Sequence, residues 1–224
     1  MELSVIITAY NEEKTIVPLC RKLTEALRFI GDFEIIIVDD GSTDGTSSAL
    51  CSIEDDRVHT IRLQRNAGKS RALLEGIDMS RGRFIATLDA DLQDDPADIP
   101  RVYNKLKRGF DAVFGVRVIR KDSFVRRFES RFANGFANLF LGETYRDRGG
   151  PVKGFRKTVL LTIPRFDGMH RFFPTLLRRY RTTEIEVNHR PRLYGISKMR
   201  RHIRMFKALR DTFYIKKLIR RGMI

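Results

Sequence analysis

Asp89-Ala90-Asp91 ends the apolar run from Arg83 to Leu88 and is followed by Leu92-Gln93-Asp94-Asp95-Pro96. A strand that stops on two carboxylates one residue apart delivers hard oxygen ligands to the crevice beyond its C-terminal end, where Mg2+ or Mn2+ can bridge to a diphosphate. That arrangement suits a nucleotide-activated donor. The plainer alternative is a strand-to-helix turn whose Asp and Asp-Pro cap the next helix. An isolated D-x-D does not separate the two.

Two further strand ends carry polar groups. Thr8-Ala9-Tyr10-Asn11-Glu12 closes a first apolar run, and Val38-Asp39-Asp40-Gly41-Ser42-Thr43-Asp44-Gly45 closes a second. Asp39 or Asp40 can accept from ribose hydroxyls or a base N–H, and Tyr10 can flank the ring. Asp40-Gly41-Ser42-Thr43 also reads as a turn in which Gly takes positive φ and Ser or Thr caps a helix, although D-D-G-S-T-D is longer than capping requires. Gly68-Lys69-Ser70 looks like the tail of a P-loop, but the first glycine of that motif would fall on Leu63, and no G-x-G-x-x-G follows the first strand. Lys69 reads either as a phosphate or base contact or as a solvated lysine.

The elements that must position these groups follow an α/β rhythm. Strands are expected over Glu2 to Ala9, Phe33 to Asp40, Arg57 to Leu63, Arg83 to Asp89 and Asp111 to Gly115, with helices over Glu13 to Ile30, Thr43 to Ile53, Lys69 to Ser80 and Ala97 to Lys107. This alternation implies a mainly parallel sheet with ligands outside the strand C-termini. Beyond it the character changes: Ser123 to Leu141 and Ser197 to Arg221 read as long helices with short irregular stretches between them. The 224 residues are expected to form a single domain, with residues 1–114 as a nucleotide-binding half and 115–224 as an elaborated half.

Charge divides the chain at the same place. Residues 1–114 hold 15 Lys/Arg against 20 Asp/Glu, and residues 115–224 hold 28 against 8, so a net of −5 faces a net of +20. A strongly cationic half attracts nucleic acid or an anionic membrane surface through the same phosphate electrostatics. Phe124, Phe128, Phe132, Phe136 and Phe140 recur every four residues. Met199, Ile203, Phe206, Leu209 and Phe213 form a second row beside Arg200, Arg201, Arg204, Lys207 and Lys217. Both rows read either as core packing or as interfacial helices on anionic headgroups. The longest apolar runs are strand-length, well short of the ~20 residues that a membrane span needs. Met1 to Ala9 lacks the basic n-region of a leader, so the chain is expected in the cytoplasm, peripheral on a membrane face. Cys20 and Cys51 have no C-x-x-C spacing and read as reduced and structural.

Taken in order, T-A-Y-N-E, V-D-D-G-S-T-D, N-A-G-K-S-R-A-L, D-A-D-L-Q-D-D-P, G-V-R and H-R-P-R-L-Y-G-I-S-K resemble the inverting family 2 glycosyltransferases of the GT-A fold, and within them the polyprenyl-phosphate branch typified by dolichyl-phosphate mannose synthase. The resemblance implies a metal-dependent transferase that moves a sugar from a UDP- or GDP-linked donor to a dolichyl or undecaprenyl phosphate. It implies that Tyr10, Glu12 and Asp39 hold the nucleoside, with Asp40 and Lys69 nearby, and that Asp89, Asp91 and Gln93 bind Mg2+ or Mn2+ and the donor diphosphate. Arg117 and Ser130-Arg131 correspond to basic positions that meet the lipid phosphate, so Asp91, Arg117 and Arg131 carry the chemistry. Arg192, Ser197 and Lys198, with Gly195 at the turn, match an R-x-x-G-x-S-K element over the diphosphate. Relatives of this branch often carry membrane helices, so a membrane-anchoring protein partner is one expectation. Asp147 to Arg156 departs from the usual D-x-x-S-G-F-R pattern. A glycan or protein hydroxyl is the alternative acceptor, and it would need a base, for which Asp94, Asp95 and Asp147 are candidates. His170 stands outside the catalytic set. A noncatalytic RNA-binding protein is a second alternative that leaves Asp89 and Asp91 unexplained, and no nucleic-acid partner is expected.

Overall fold

The structure is a computed structural model that describes residues 1–117, 135, 138–142, 147, 150–190 and 201–224, with side chains from residue 209 onward in the last stretch. β1 (Leu3–Ala9) and β2 (Phe33–Asp39) are buried along almost their whole length, the pattern of strands covered on both faces. Between them α1 (Ile16–Leu27) buries Ile16, Leu19, Cys20, Leu23 and Leu27, one stripe at helical spacing. The chain continues through α2 (Thr46–Cys51), β3 (Val58–Arg62), α3 (Lys69–Met79), β4 (Phe84–Asp89), α4 (Asp98–Lys107) and β5 (Ala112–Arg117). These are the expected elements, trimmed by a few residues at their ends, except that β5 runs two residues past Gly115.

The stretch expected to be irregular contains two strands. β6 (Lys153–Arg156) is followed by the short α5 (Lys157–Leu160), a 3-10 turn at Met169–Arg171 and α6 (Phe173–Leu176), and then by β7 (Thr182–Val187) and α7 (Arg201–Arg220). The seven strands among the described residues form one sheet in the order β3-β2-β1-β4-β6-β5-β7. β6 runs antiparallel between β4 and β5, and the other pairings are parallel. The second half of the chain therefore contributes to the same sheet as the first. Leu19, Leu23, Ile99, Val102 and Leu106 pack on one face of the sheet, while Leu73, Ile77, Phe155, Phe173, Ile215 and Leu218 build a second core.

Direction of travel along the sheet reverses at β1, which has β2 on one side and β4 on the other. Ala9 lies opposite Asp39 and Thr8 opposite Asp89, so three polar strand ends meet at a topological switch point.

The other end of the sheet is pinned by a buried carboxylate. Glu34 accepts from Ser4 Oγ (2.6 Å), the Arg81 amide (2.7 Å) and Arg81 Nε (2.9 Å), and Ser4 Oγ accepts from the Gly82 amide (2.8 Å). Burial pushes the Glu34 pKa up, but the Ser4 and Arg81 bonds outweigh it and hold the group below its ordinary value. A lowered carboxylate pKa stabilises the fold above the unfolded value and loses that contribution as pH falls through the folded one. Glu34→Ala is expected to cost about 2 kcal/mol near neutral pH. Its melting-temperature deficit is expected to shrink below pH 4.5, as pH-dependent thermal denaturation of the two proteins would check.

From residue 209 onward in α7, Asp211, Thr212, Ile215 and Leu218 face inward. Leu209, Phe213 and Tyr214 face outward, Phe213 being 57% exposed, and neighbouring Leu139 is 86% exposed. The row that includes Leu209 and Phe213 is thus not the buried face of this helix. Phe124, Phe128, Phe132, Phe136, Met199 and Arg200 lie outside the described residues, as do the side chains of Arg201, Ile203, Arg204, Phe206 and Lys207. Among the described residues no helix is long and apolar enough to cross a membrane.

Candidate active site

The loops after β1 and β2 are laced together before any ligand arrives. The Asn11 amide, at φ +54°, donates to Ser42 Oγ (2.9 Å), Asn11 Oδ1 accepts from the Thr43 amide (2.8 Å), and the Glu12 amide donates to Thr46 Oγ1 (2.8 Å). Glu12 Oε2 takes the Thr15 hydroxyl (3.1 Å). Gly41, at φ +68°, lies where a Cβ would stand 2.4 Å from the Arg65 carbonyl carbon, so both its dihedral and its closeness demand glycine.

The two adjacent aspartates have different tasks. Asp40 accepts from the Ala67 amide (2.7 Å) and the Gly68 amide (2.9 Å), and so fixes the turn that starts α3. Burial raises its pKa, the two amides pull it back, and Asp39 adds repulsion. Asp39 is 0% exposed; its Oδ1 takes the Ser42 amide (2.9 Å), but among the described residues its Oδ2 has no hydrogen-bond partner, and Arg62 Nε stands 3.8 Å away. An unmet buried carboxylate oxygen costs about 1–3 kcal/mol, and a ligand N–H or hydroxyl would recover it.

Asp89 sits at the crevice mouth with 40% of its side chain exposed, and Lys69, the first residue of α3, pairs with its Oδ1. Desolvation would raise Asp89, but Lys69, with Lys153 and Arg117 behind it, holds its carboxyl below the usual range. Asp91 is buried and accepts from the Gln93 amide (3.2 Å). Between them the chain turns at Leu92, a buried leucine held at φ +57°, a conformation costing about 1 kcal/mol. The Gln93 side chain donates to the Arg190 carbonyl (3.2 Å). No cluster of three or more His, Cys, Asp or Glu side chains forms a metal cage among the described residues. Two carboxylates suit a cation such as Mg2+ that completes its shell with water and phosphate oxygens, so Asp89 and Asp91 fit the implied ion as donors.

Two groups here, Lys153 and His170, were not assigned roles by sequence. Lys153 opens β6 and is buried, donating to the Gly150 carbonyl; burial first, then Lys69, pushes its pKa down to about 8 against the pull of Asp89, Asp94 and Asp147. His170 Nδ1 lies 2.7 Å from Ser70 Oγ, which also accepts from the Gly168 amide (2.9 Å). Burial, then Lys69, Arg171 and Lys153, holds His170 well below its ordinary pKa and therefore neutral. Lys69, Asp89, Lys153 and His170 line one small enclosed pocket. At the end of β5, Arg117 meets Asp147 through Nε (2.9 Å) and Nη2 (3.3 Å). Ser130, Arg131, Arg192, Gly195, Ser197 and Lys198 lie outside the described residues.

An open, mostly parallel sheet with acidic groups gathered at its switch point is the Rossmann-like GT-A fold. Residues 4–163 match the family described as Glycosyl transferase family 2, and the chain belongs to that family. It is 36% identical over 208 residues to a dodecaprenyl-phosphate galacturonate synthase of Rhizobium johnstonii, and 35% identical over 203 residues to an undecaprenyl-phosphate 4-deoxy-4-formamido-L-arabinose transferase of Salmonella paratyphi B. Each match covers 88% of this chain and 62% of the relative, so the chain spans less than two thirds of their length. Among solved structures, glucosyl-3-phosphoglycerate synthase from Mycobacterium tuberculosis, in complex with Mg2+ and UDP, superposes with a TM-score of 0.74 at 18% identity, covering 99% of this chain and 79% of that one. That likeness supports the fold alone.

Proposed function

We propose that the chain transfers a sugar from a nucleoside diphosphate donor to a polyprenyl phosphate at the cytoplasmic face of a membrane. The observation that carries this reading is the arrangement along one sheet edge. The unmet oxygen of Asp39 and the Asp89/Asp91 pair lie at the switch point, and the Arg117 guanidinium stands beyond them at the end of β5. Donor and acceptor phosphates thus have separate partners. The two relatives, whose names state prenyl-phosphate acceptors, support the choice of acceptor.

In this reading Asp39 accepts from the ribose or base, with Tyr10 and Glu12 beside it. Lys69 keeps Asp89 ionised and oriented. Mg2+ or Mn2+ bound at Asp89 and Asp91, with Gln93 beside them, supplies charge neutralisation for the departing diphosphate. Arg192, Ser197 and Lys198 are assigned to that diphosphate by their match to the R-x-x-G-x-S-K element. Arg117 and Arg131 orient the lipid phosphate, a monoester whose second pKa of about 6 makes it a nucleophile at neutral pH without a base. In-line attack then inverts the anomeric carbon. A hydroxyl acceptor would need a free carboxylate, whereas Asp94, Asp95 and Asp147 are each engaged, by His189, Arg190 and Arg117. The outward Leu139, Leu209, Phe213 and Tyr214, set in the cationic half, support attachment to an anionic headgroup layer.

The test is nucleoside diphosphate release from UDP- and GDP-sugars with Mg2+ or Mn2+, with and without a short polyprenyl phosphate. Release that needs both metal and lipid phosphate is expected. Release indifferent to the lipid would move the acceptor to a hydroxyl.

A further inference from the structure

The polar groups between the Asp91 loop and the segment after β7 form a ladder that, Gln93 apart, the proposed chemistry does not use. Beyond Val187 the chain runs along that loop. The Asn188 amide donates to Asp98 Oδ2 (3.1 Å), Asp94 and His189 form an isolated antiparallel bridge, and the Arg190 amide donates to the Gln93 carbonyl (2.7 Å). Gln93 Nε2 returns a bond to the Arg190 carbonyl (3.2 Å), and Arg190 Nη2 pairs with Asp95 Oδ2 (2.7 Å).

In the middle stands the His189 ring, nearly buried, with Nδ1 3.0 Å from Asp94 Oδ1 and Nε2 3.5 Å from Gln93 Nε2. Donor matching assigns its protons. The Gln93 amide nitrogen only donates, so Nε2 accepts, and Nδ1 carries the hydrogen given to Asp94. Asp94 needs that tie, because its own burial and the charges of Asp89 and Asp91 all oppose its ionisation.

The ladder ties the string that the transferase reading places on the metal and donor diphosphate to the end of β7. Residues 91–95 carry Asp91 and Gln93, and residues 188–190 follow β7 directly. We infer that His189 is a positioning residue, locking the loop that carries Asp91 and Gln93 to the end of β7 so that its groups stay aimed at the donor diphosphate. This inference rests on the transferase reading.

Its test compares three variants by calorimetric binding of UDP or GDP with Mn2+, by steady-state kinetics, and by deuterium uptake of a peptide spanning Asn188 to Arg190. His189→Ala is expected to weaken nucleotide binding about 10-fold and to raise the donor KM equally, the usual scale for partners of metal ligands, with kcat nearly unchanged, a lower Tm and faster deuterium uptake. His189→Asn places a donor nitrogen where Nδ1 stood and is expected to restore binding and protection. His189→Gln replaces Nε2 instead and is expected to behave like alanine. Should alanine unfold the protein, the asparagine and glutamine pair still decides. Wild-type affinity in His189→Ala or His189→Gln, or a loss that asparagine does not repair, overturns the inference. Wild-type protein that binds neither nucleotide with Mn2+ overturns the transferase reading itself, a separable result.

Discussion

Asp91→Asn is expected to lower sugar transfer by about 10³-fold while leaving the fold intact. The isosteric amide keeps the oxygen that accepts from the Gln93 backbone, so the turn through Leu92 survives. What disappears is one of two negative charges available to a divalent ion, and with it the neutralisation of the leaving diphosphate. The same change relieves Asp94, whose pKa is raised by its own burial and then by the charges of Asp89 and Asp91. Thermal stability without metal is therefore expected to hold or rise slightly. Metal titrations of activity, run beside melting curves with and without Mn2+, would check both halves. Metal-stimulated transfer persisting at the wild-type rate in Asp91→Asn would remove Asp91 from the site.

The placement of Asp39 and Asp89 in the candidate site was legible because parallel strands leave a simple signature. Val38-Asp39 and Leu88-Asp89 each place an acidic residue directly after an apolar run, and the sheet register brings both beside β1. The division of labour between Asp39 and Asp40 was not legible. Neighbouring residues at a strand end point to opposite faces, and only the fold decides that Asp40 meets the Ala67 and Gly68 amides while Asp39 keeps an oxygen unmet. β6 was hidden for a related reason. Lys-Gly-Phe-Arg has no alternation, and its strand state comes from pairing with β4 and β5, with Gly154 fitted where a Cβ would stand 2.1 Å from Val102. Lys153 and His170 went unassigned with it, since their neighbours are distant in sequence. β7 did carry a signal: in Thr-Thr-Glu-Ile-Glu-Val, Ile185 and Val187 alternate with glutamates and are buried.

The Arg117–Asp147 pair separates the two acceptor readings. Asp147 is 2% exposed and gripped by two guanidinium nitrogens, so Arg117→Met takes a bidentate cationic partner from a buried carboxylate. Such a break costs about 3 kcal/mol, and lost activity in the single variant would confound chemistry with stability. Arg117→Met combined with Asp147→Asn removes the buried charge as well and is expected to recover most of the melting temperature. Without the guanidinium, the lipid phosphate loses the fork of donors that Arg117 holds at the end of β5. Transfer to polyprenyl phosphate is therefore expected to stay about 10²-fold below wild type in the refolded double variant, the scale of a lost charge-assisted bidentate contact. Donor binding, measured as UDP or GDP affinity with Mn2+, is expected to change little, because Asp39, Lys69 and Asp91 are untouched. If transfer recovers together with stability, Arg117 serves only to hold Asp147, and the acceptor phosphate must be met by other cations of the basic half.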